Sequence, residues 1–351
     1  MSVAPRLSIC IATFKRGAFI VETLDSIVSQ LSDDVELLVV DGASPDDTAE
    51  VMARYVEAHP QVRYFRQSEN GGVDGDYDNA VGYARGDYCW LMPDDDLMLP
   101  GAVVRVLEEI ASGVDLVVVN AEVHTVDFSR KLSAGLLPAE GPSAYEDAEL
   151  LFRDTGRYLS FIGGVVVRRE FWLSRERTRH YGTLFIHVGT LFQAPPVRLA
   201  RVIREPLLAI RFGNAMWTAR GFEIWMKKWP RLVWSFEHFS AAARKSVSSA
   251  EPFREVRQLV LYRALGGYSL EVFRSGLTDD LKGRERWLAR LVAASPSSLM
   301  NAICTSYCLL KPQQTRMGLY NLAQSASATW LTRQVAQLCD LPISGSSRPR
   351  T

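Results

Sequence analysis

The sequence has few cysteines and no long apolar run, and each shortage excludes a class of protein. Its five cysteines are odd in number and scattered over 351 residues, which excludes a disulfide framework and fits a reducing cytosol. The late uncharged stretch Leu291–Leu310 contains Pro296, Asn301 and several serines, so it is too polar to predict a membrane-spanning helix. The first strand follows Met1 almost directly, without the cationic and apolar segments of a signal peptide, so we expect none.

Two motifs are also missing from the chain. No Gly-x-Gly-x-x-Gly pattern follows the first predicted strand, which disfavours a nicotinamide-dependent oxidoreductase. No nucleic-acid reader motif or arginine-rich run is present either, so we expect no nucleic-acid partner.

Charge is balanced overall but unevenly distributed. Residues 1–215 carry 21 Lys and Arg against 31 Asp and Glu, whereas residues 216–351 carry 19 against 9. An excess of positive charge in one half indicates an anionic partner for that half, such as a membrane surface or a phosphorylated ligand.

The apolar pattern predicts an α/β fold, a Rossmann-like, mainly parallel sheet with a mostly helical C-terminal extension. We divide the chain into a catalytic domain at 1–215, a basic helical region at 216–343 and a disordered tail at 344–351. The predicted strands are 7–13, 35–40, 62–65, 88–92, 114–119, 158–167 and 201–211. Ser44 and Ser143 are the predicted N-caps of two helices, and a further helix is predicted near 171–179.

Three consecutive carboxylates, Asp94, Asp95 and Asp96, directly follow the predicted strand 88–92. Like charges so close together disfavour mutual ionisation unless a positive group neutralises them. Carboxylate oxygens suit Mg²⁺ or Mn²⁺, and ligands bind at the carboxyl ends of strands in open α/β sheets. The alternative is a solvated acidic turn that caps the next helix. Asp41 ends another strand at the same edge, where it can accept hydrogen bonds from a base or ribose.

Arg211, Asn214 and Trp217 follow the last predicted strand of the domain. An arginine can hold a diphosphate through two parallel hydrogen bonds, and a tryptophan can stack on a sugar ring. These residues are therefore candidates for the acceptor or its diphosphate, with an ordinary strand-end turn as the alternative.

Five segments in a fixed order make the chain resemble family 2 glycosyltransferases of the GT-A fold. They are Thr13–Arg16, Val40–Thr48, Glu69–Val73, Ala84–Tyr88 and the acidic triplet with Pro100. A narrower likeness, at Val73–Asp74, Tyr77, Tyr88–Leu91 and Ile186–Val188, is to the branch that contains bacterial O-antigen abequosyltransferases.

This resemblance implies a fold, a cofactor and a set of site residues. The half 1–120 would bind the nucleotide sugar and the half 121–215 the acceptor. A divalent metal, Mn²⁺ or Mg²⁺, would be held by Asp95 and Asp96 and would neutralise the leaving diphosphate. The implied donor-binding residues are Thr13, Phe14, Arg16, Asp41, Asp74, Asp94 and Asp95. The chain departs from the family at Lys15, Tyr77–Asp78 and Pro93, where the family has asparagine, an Arg-Asn pair and the first aspartate of Asp-x-Asp-Asp.

His187 is the candidate catalytic base, with Asp95 as the other catalytic residue. Family members place a carboxylate near this position, but here His187 is the only ionisable side chain between Tyr181 and Arg198. The alternative is a semi-buried packing histidine.

The expected acceptor is a polyprenyl-diphosphate-linked glycan, and the expected location is the cytoplasmic face of the cell membrane. Tryptophans and bases alternate around Trp225, Trp229, Trp234 and Trp287, a pattern typical of interfacial helices on anionic lipid. A helical bundle with a solvated basic face is the alternative. Two other functions stay open, a related sugar nucleotidyltransferase and an inactive scaffold member of the family.

Overall fold

The computed structural model describes residues 4–214, 220–311 and 315–343. These residues form two compact units. The first comprises 4–123, 134–211 and 232–247, and the second comprises 124–133, 212–214, 220–231 and the described residues from 248 onward. The units differ from the predicted boundary at residue 215 in three places, because 124–133 and 212–214 group with the second unit and 232–247 with the first.

A mixed, mostly parallel sheet is the centre of the first unit, as predicted. Its strand order is β3-β2-β1-β4-β9-β6-β10-β5. Strands β1 to β4 pair in parallel, whereas β9 pairs antiparallel with both β4 and β6. The strands are β1 Leu7–Thr13, β2 Val35–Asp41, β3 Val62–Arg66, β4 Tyr88–Met92, β5 Leu97–Met98, β6 Leu116–Thr125, β7 Lys131–Ser133, β8 Ala144–Tyr145, β9 Val165–Arg168 and β10 Ala200–Phe212.

Every residue of β1, β2 and β4 is buried. Burial on both faces is typical of parallel strands covered by helices, and it explains why these strands are continuous apolar runs in the sequence. The helices from this part of the chain are α1 Gly17–Val28, α2 Thr48–Ala58, α3 Val73–Tyr83, α4 Ala102–Ile110, α5 Ala148–Thr155, α6 Arg169–Leu173 and α7 Ile186–Phe192.

The second unit is mostly helical, in agreement with the predicted extension. Its core includes Phe222, Phe253, Tyr268 and Phe273. The remaining helices of the described chain are α8 Gly221–Glu223, α9 Trp229–Trp234, α10 Ala241–Val247, α11 Val256–Ala264, α12 Leu270–Gly276, α13 Gly283–Ala294, α14 Ser297–Leu310, α15 Arg316–Gln324 and α16 Trp330–Leu338. A π-helical turn, Ile224–Lys228, joins α8 to α9. Within the described ranges, no helix has the length and apolar character needed to cross a bilayer.

Several predicted element boundaries are wrong. Ser143 does not cap a helix: Ala144–Tyr145 pairs with β10, and α5 begins after Asp147, whose carboxylate accepts the N–H groups of Glu149 and Leu150. The predicted strand 158–167 is two 3₁₀ turns followed by β9, and the helix near 171–179 is the short α6 followed by a 3₁₀ turn. The predicted tail, 344–351, lies outside the described residues.

Candidate active site

The carboxyl ends of β1, β2 and β4 bring the predicted donor residues to one edge of the sheet. Thr13 is the register partner of Asp41, and Met92, which precedes the acidic segment, is near the same edge because Ile11 pairs with it. Strand β1 has β2 on one side and β4 on the other, so the strand order reverses there. Such a switch point opens a crevice at the carboxyl edge, where open α/β sheets bind ligands.

Arg16 forms ion pairs with two members of the acidic triplet. Its Nε lies 3.5 Å from Oδ1 of Asp94, and its Nη2 lies 3.2 Å from Oδ2 of Asp95. Between 11% and 14% of each of these three side chains is exposed. Burial, together with the neighbouring Asp95, raises the pKa of Asp94 to about 7 despite the opposing effect of Arg16. The carboxylates are therefore held where an added cation would stabilise them.

Asp96 is turned towards the last strand of the first unit. Its Oδ1 accepts a hydrogen bond of 2.8 Å from the backbone N–H of Arg211, and the residue is 3% exposed. Burial and the charge of Asp95 raise the pKa of Asp96 well above its ordinary value. Asp96, a predicted metal ligand, thus helps to hold the end of β10 beside the triplet.

A second guanidinium lies at the same place. Arg211 donates from Nε to the carbonyl of Asp95 at 2.9 Å, and its Nη2 pairs with Glu22. Phe19 lies close to both cations, since its ring centroid is 5.6 Å from the Arg16 guanidinium and 5.2 Å from that of Arg211. Two arginines beside a carboxylate pair can bind a diphosphate while the carboxylates hold a cation.

The donor set fits a metal ion that takes part of its coordination from its substrate. Within residues 4–214, 220–311 and 315–343, no three His, Cys, Asp or Glu side chains are arranged to hold a metal by themselves. A magnesium-type ion, however, is usually held by one or two carboxylates together with substrate phosphates. The adjacent carboxylates of Asp94 and Asp95, which both pair with Arg16, can supply the one or two carboxylates of such a site.

Thr13 and Asp41 lie where a nucleoside is expected. The Thr13 hydroxyl is buried and lies beside the carboxyl group of Asp94, whose pKa it helps to lower. Asp41 is fully buried, and its oxygens accept the Ser44 N–H at 2.8 Å and the Tyr64 hydroxyl at 2.5 Å. Phe14 is the next residue after Thr13, and its ring centroid lies 5.1 Å from the Lys15 ammonium. Donor binding by Phe14 and Asp41 stays a prediction.

Asp74 and His187 belong to one structural arrangement. The Asp74 carboxylate accepts the N–H of Leu184 at 2.8 Å and that of Ile186 at 3.1 Å, so it fixes the start of α7. His187, the second residue of α7, is 1% exposed and bonds through Nε2 to the carbonyl of Leu159 at 2.8 Å. Burial lowers the pKa of His187 to about 4, so the ring is neutral near pH 7. Its Nδ1 is then an acceptor, and among the described atoms it has no partner.

The three predicted acceptor residues fall in different parts of the chain. Arg211 ends the first unit beside the triplet, Asn214 belongs to the second unit, and Trp217 lies outside the described residues. Their role in binding the acceptor stays a prediction.

Sequence reasoning missed several residues that shape this region. Asp78 accepts hydrogen bonds from Trp172, Arg177 and Tyr181, and Asp76 lies buried near Asp41. The only available signal was the unusual run of acids at the start of α3, which a helix dipole alone would explain.

Comparison with known proteins supports the same reading of the fold. Residues 1–349 of TarS from Staphylococcus aureus, solved with UDP, match with a TM-score of 0.52 and 13% identity, over 95% of this chain and 91% of that one. A mannosyltransferase from Pyrobaculum calidifontis, solved with GDP-Man and Mn²⁺, matches with a TM-score of 0.52 and 16% identity, over 97% and 88%. These likenesses show that the fold is that of the GT-A class.

The sequence comparisons give the family. Residues 8–176, just under half of the chain, match glycosyl transferase family 2, and this match supports a glycosyltransferase. The abequosyltransferase RfbV of Salmonella typhimurium is 24% identical over 61% of this chain and 69% of its own length. A Campylobacter jejuni protein named GalNAc(5)-diNAcBac-PP-undecaprenol beta-1,3-glucosyltransferase is 30% identical over 31% and 36%. The chain thus spans about two thirds of the first relative and about a third of the second.

Proposed function

We propose that this protein transfers a sugar from a nucleotide-sugar donor to a lipid-linked oligosaccharide, in the synthesis of a bacterial surface polysaccharide of the O-antigen type. The observation that carries the proposal is the largely buried triplet Asp94–Asp96 with Arg16 and Arg211 at the switch point of the sheet. Neutral or apolar ligands would leave these charges uncompensated, whereas a nucleoside diphosphate with a cation complements them.

In this proposal the nucleoside lies over Thr13, Phe14 and Asp41, and the diphosphate lies beside Arg16 and Arg211. A guanidinium can donate two parallel hydrogen bonds to a phosphate, which orients the diphosphate and stabilises its charge as the glycosidic bond breaks. Arg16 would exchange its carboxylate partners for phosphate oxygens. Asp74, whose oxygens hold the start of α7, would then support the site indirectly.

We assign the metal to Asp95, with Asp94 or Asp96 beside it. Mn²⁺ or Mg²⁺ bound there would supply Lewis-acid stabilisation of the leaving diphosphate. The mannosyltransferase from Pyrobaculum calidifontis, which shares the fold, was solved with Mn²⁺, and this supports a divalent ion. Asp96 already accepts the Arg211 N–H, so Asp95 is the stronger candidate of the predicted pair.

His187 is the proposed general base for the acceptor hydroxyl. Its ring is neutral, with Nε2 bonded to Leu159 and with Nδ1 as a buried acceptor that has no hydrogen-bond partner among the described atoms. Because its pKa is about 4, the imidazole is a weak base near neutral pH, so we expect its contribution to lie at the low end for general-base catalysis, about a hundredfold.

The lipid-linked acceptor and the inner face of the membrane are supported by the relatives and by α14. RfbV is named an abequosyltransferase, and the Campylobacter relative's name includes PP-undecaprenol. Helix α14 exposes apolar residues and buries polar ones, the reverse of an ordinary surface helix, so we propose that it lies on anionic lipid. Its exposed residues include Leu299, Ile303, Tyr307 and Leu310, and its buried ones Asn301, Thr305 and Cys308.

Replacing Asp95 with asparagine tests the proposal. We expect Asp95→Asn to lower turnover by at least about a hundredfold, because it removes one charge from the groups that stabilise the leaving diphosphate. The assay measures release of nucleoside diphosphate from a panel of sugar donors, with polyprenyl-diphosphate glycan as acceptor and with or without Mn²⁺. Asp33→Asn, at an exposed position, is the matched control and should behave like the unmodified protein.

Three outcomes would contradict the proposal. Equal turnover of Asp95→Asn in the presence of a chelator would exclude the metal site. Absence of diphosphate release from every donor by the unmodified protein would favour the inactive scaffold. Formation of a nucleotide sugar from a sugar phosphate would instead favour the nucleotidyltransferase.

A further inference from the structure

Asp76 is a buried acid, and the residues around it provide few hydrogen bonds to its carboxyl group. It lies in the first turn of α3, where its backbone N–H bonds to the carbonyl of Gly72, and it is 3% exposed. Its Oδ1 is buried and has no hydrogen-bond partner among the residues the structure describes. A buried acceptor without a partner costs about 1–3 kcal/mol, so its retention calls for an explanation.

The neighbours of Asp76 belong to the carboxyl end of β2. A Cβ added at Gly42 would lie 2.7 Å from Oδ2 of Asp76 and 3.6 Å from Oδ1 of Asn70. The absence of a side chain at Gly42 therefore lets the carboxyl group approach the end of this strand, where Asp41 also lies. The two acids are close enough that the charge of Asp41 adds to burial in raising the pKa of Asp76 to about 6.

Asp41 and Asp76 differ in their hydrogen-bond and ion-pair partners. Asp41 accepts hydrogen bonds from Ser44 and Tyr64, and Arg66 lies 3.9 Å from its Oδ2. On α3 itself, Asp74 and Asp78 likewise have backbone and side-chain donors. Asp76 thus differs from the acids around it, because its carboxyl group lies at the strand end where a nucleoside would lie and its Oδ1 has no hydrogen-bond partner among the described residues.

We propose that Asp76 is a second nucleoside-binding carboxylate beside Asp41, whose Oδ1 accepts a hydrogen bond from an N–H or O–H group of the donor. This inference rests on the proposed nucleotide-sugar function of the same edge of the sheet. An amino group of a base and a hydroxyl of the ribose both supply such a hydrogen, and the nucleotides compared below distinguish them.

The substitution Asp76→Ala tests the proposal through two measurements, the melting temperature without ligand and the affinity for a nucleotide. Without ligand, the melting temperature should rise or stay the same, because the variant loses an uncompensated buried carboxylate and its repulsion of Asp41. With ligand, affinity should fall about tenfold, the usual effect of losing a hydrogen bond to a charged group. A merely structural acid would instead give a lower melting temperature, and simple charge repulsion would give tighter binding of an anionic diphosphate.

Calorimetric titration with UDP, CDP, GDP and dTDP, with Mn²⁺ present, provides the affinities. A loss restricted to CDP and GDP would assign the contact to a base amino group, and a loss for every nucleotide except the 2′-deoxy dTDP would assign it to the 2′-hydroxyl. Asp76→Asn, which keeps an oxygen acceptor, should retain more affinity than Asp76→Ala. Asp87→Ala, at an exposed position, is the control for loss of a negative charge.

The results separate this inference from the proposed function. If the unmodified protein binds a nucleotide and Asp76→Ala binds it equally well, the inference is overturned and the proposed function stands. If the unmodified protein binds none of the nucleotides, both are overturned.

Discussion

At the residue scale, the neutral state of His187 has a consequence for stability. The folded protein holds the pKa of this ring at about 4, whereas an unfolded histidine titrates near 6.5. The unfolded chain therefore binds more protons between these values. The stability that His187 contributes is fully present above pH 6.5 and is lost as the pH falls towards 4.

We expect His187→Gln to make the unfolding free energy less dependent on pH. The unmodified protein should lose up to about 1.4 kcal/mol per pH unit through this residue between pH 6.5 and 4. Urea unfolding at several pH values measures the slope. His180, whose pKa burial also lowers to about 4, should keep part of the slope in the variant. An unchanged slope would mean that His187 is accessible and charged, which would contradict its burial.

The sequence could predict the parts of the site that depend on position along a strand. Asp41, Thr13 and the triplet were placed correctly at one edge, because strand ends are visible in the apolar pattern. The partners of these residues were not predictable. Glu22 and Asp76 contribute to the site through tertiary contacts, and a local sequence pattern does not predict such contacts.

At the element scale, α3 holds the segment that leads to His187. Asp74 and Asp78 are four residues apart and therefore on one face of the helix. Asp74 binds the backbone before α7, and Asp78 accepts from Trp172 Nε1 at 2.9 Å, Arg177 Nε at 2.7 Å and the Tyr181 hydroxyl at 2.7 Å. One helix face thus fixes the chain on both sides of the 3₁₀ turn Thr178–His180.

We expect Asp78→Ala to destabilise the first unit by about 3 kcal/mol. The substitution leaves the buried indole N–H, the Tyr181 hydroxyl and the Arg177 guanidinium without their shared acceptor, and breaking a buried charge pair from one side has a cost of this size. Chemical unfolding followed by fluorescence measures the change, with Asp87→Ala as the exposed control. A loss below about 0.5 kcal/mol would show that these donors find other partners.

The helix starts that the sequence mispredicted have a common physical cause. Ser44 has the right type for an N-cap, but its hydroxyl accepts the backbone N–H of Lys15 at 2.9 Å, and α2 begins later, after Asp47. Lys15 has a φ of 58°, a left-handed conformation that residues other than glycine rarely adopt, so this contact helps to support a strained turn next to Thr13. Capping patterns report local preference only, and long-range contacts near the site override it.

At the scale of the whole molecule, the tryptophan pattern of the sequence predicted a larger interfacial surface than the exposed tryptophans provide. Trp229 is 4% exposed and packs edge-on with Trp225, and Trp234 lies under the Arg244 guanidinium, so these rings serve mainly in packing. Trp287, at 62% exposure, is the one of the four predicted tryptophans that is most open to solvent. The alternation of aromatic and basic residues in the sequence did not distinguish a packed face from an exposed one.

The exposed stripe of α14 gives a sharper prediction for membrane binding. Residues 216–351 carry ten more bases than acids, and each base near an anionic leaflet contributes about 1 kcal/mol of binding free energy. We therefore expect the protein to float with anionic vesicles at low salt and to be released as salt shortens the Debye length to about 8 Å at physiological ionic strength and about 3 Å at 1 M.

Flotation of two glutamate variants separates the apolar stripe from general charge attraction. Ile303→Glu places a charge within the stripe of α14 and should reduce the bound fraction at least about tenfold, because an acid at the interface is desolvated and repelled by anionic lipid. Val104→Glu, the control, makes the same change at an exposed position of α4 and should float as the unmodified protein does. Equal losses in both variants would show that only net charge matters. If the unmodified protein fails to float with anionic vesicles, the apolar stripe of α14 does not bind lipid. That result would contradict the membrane assignment and favour an acceptor that is reached without the bilayer.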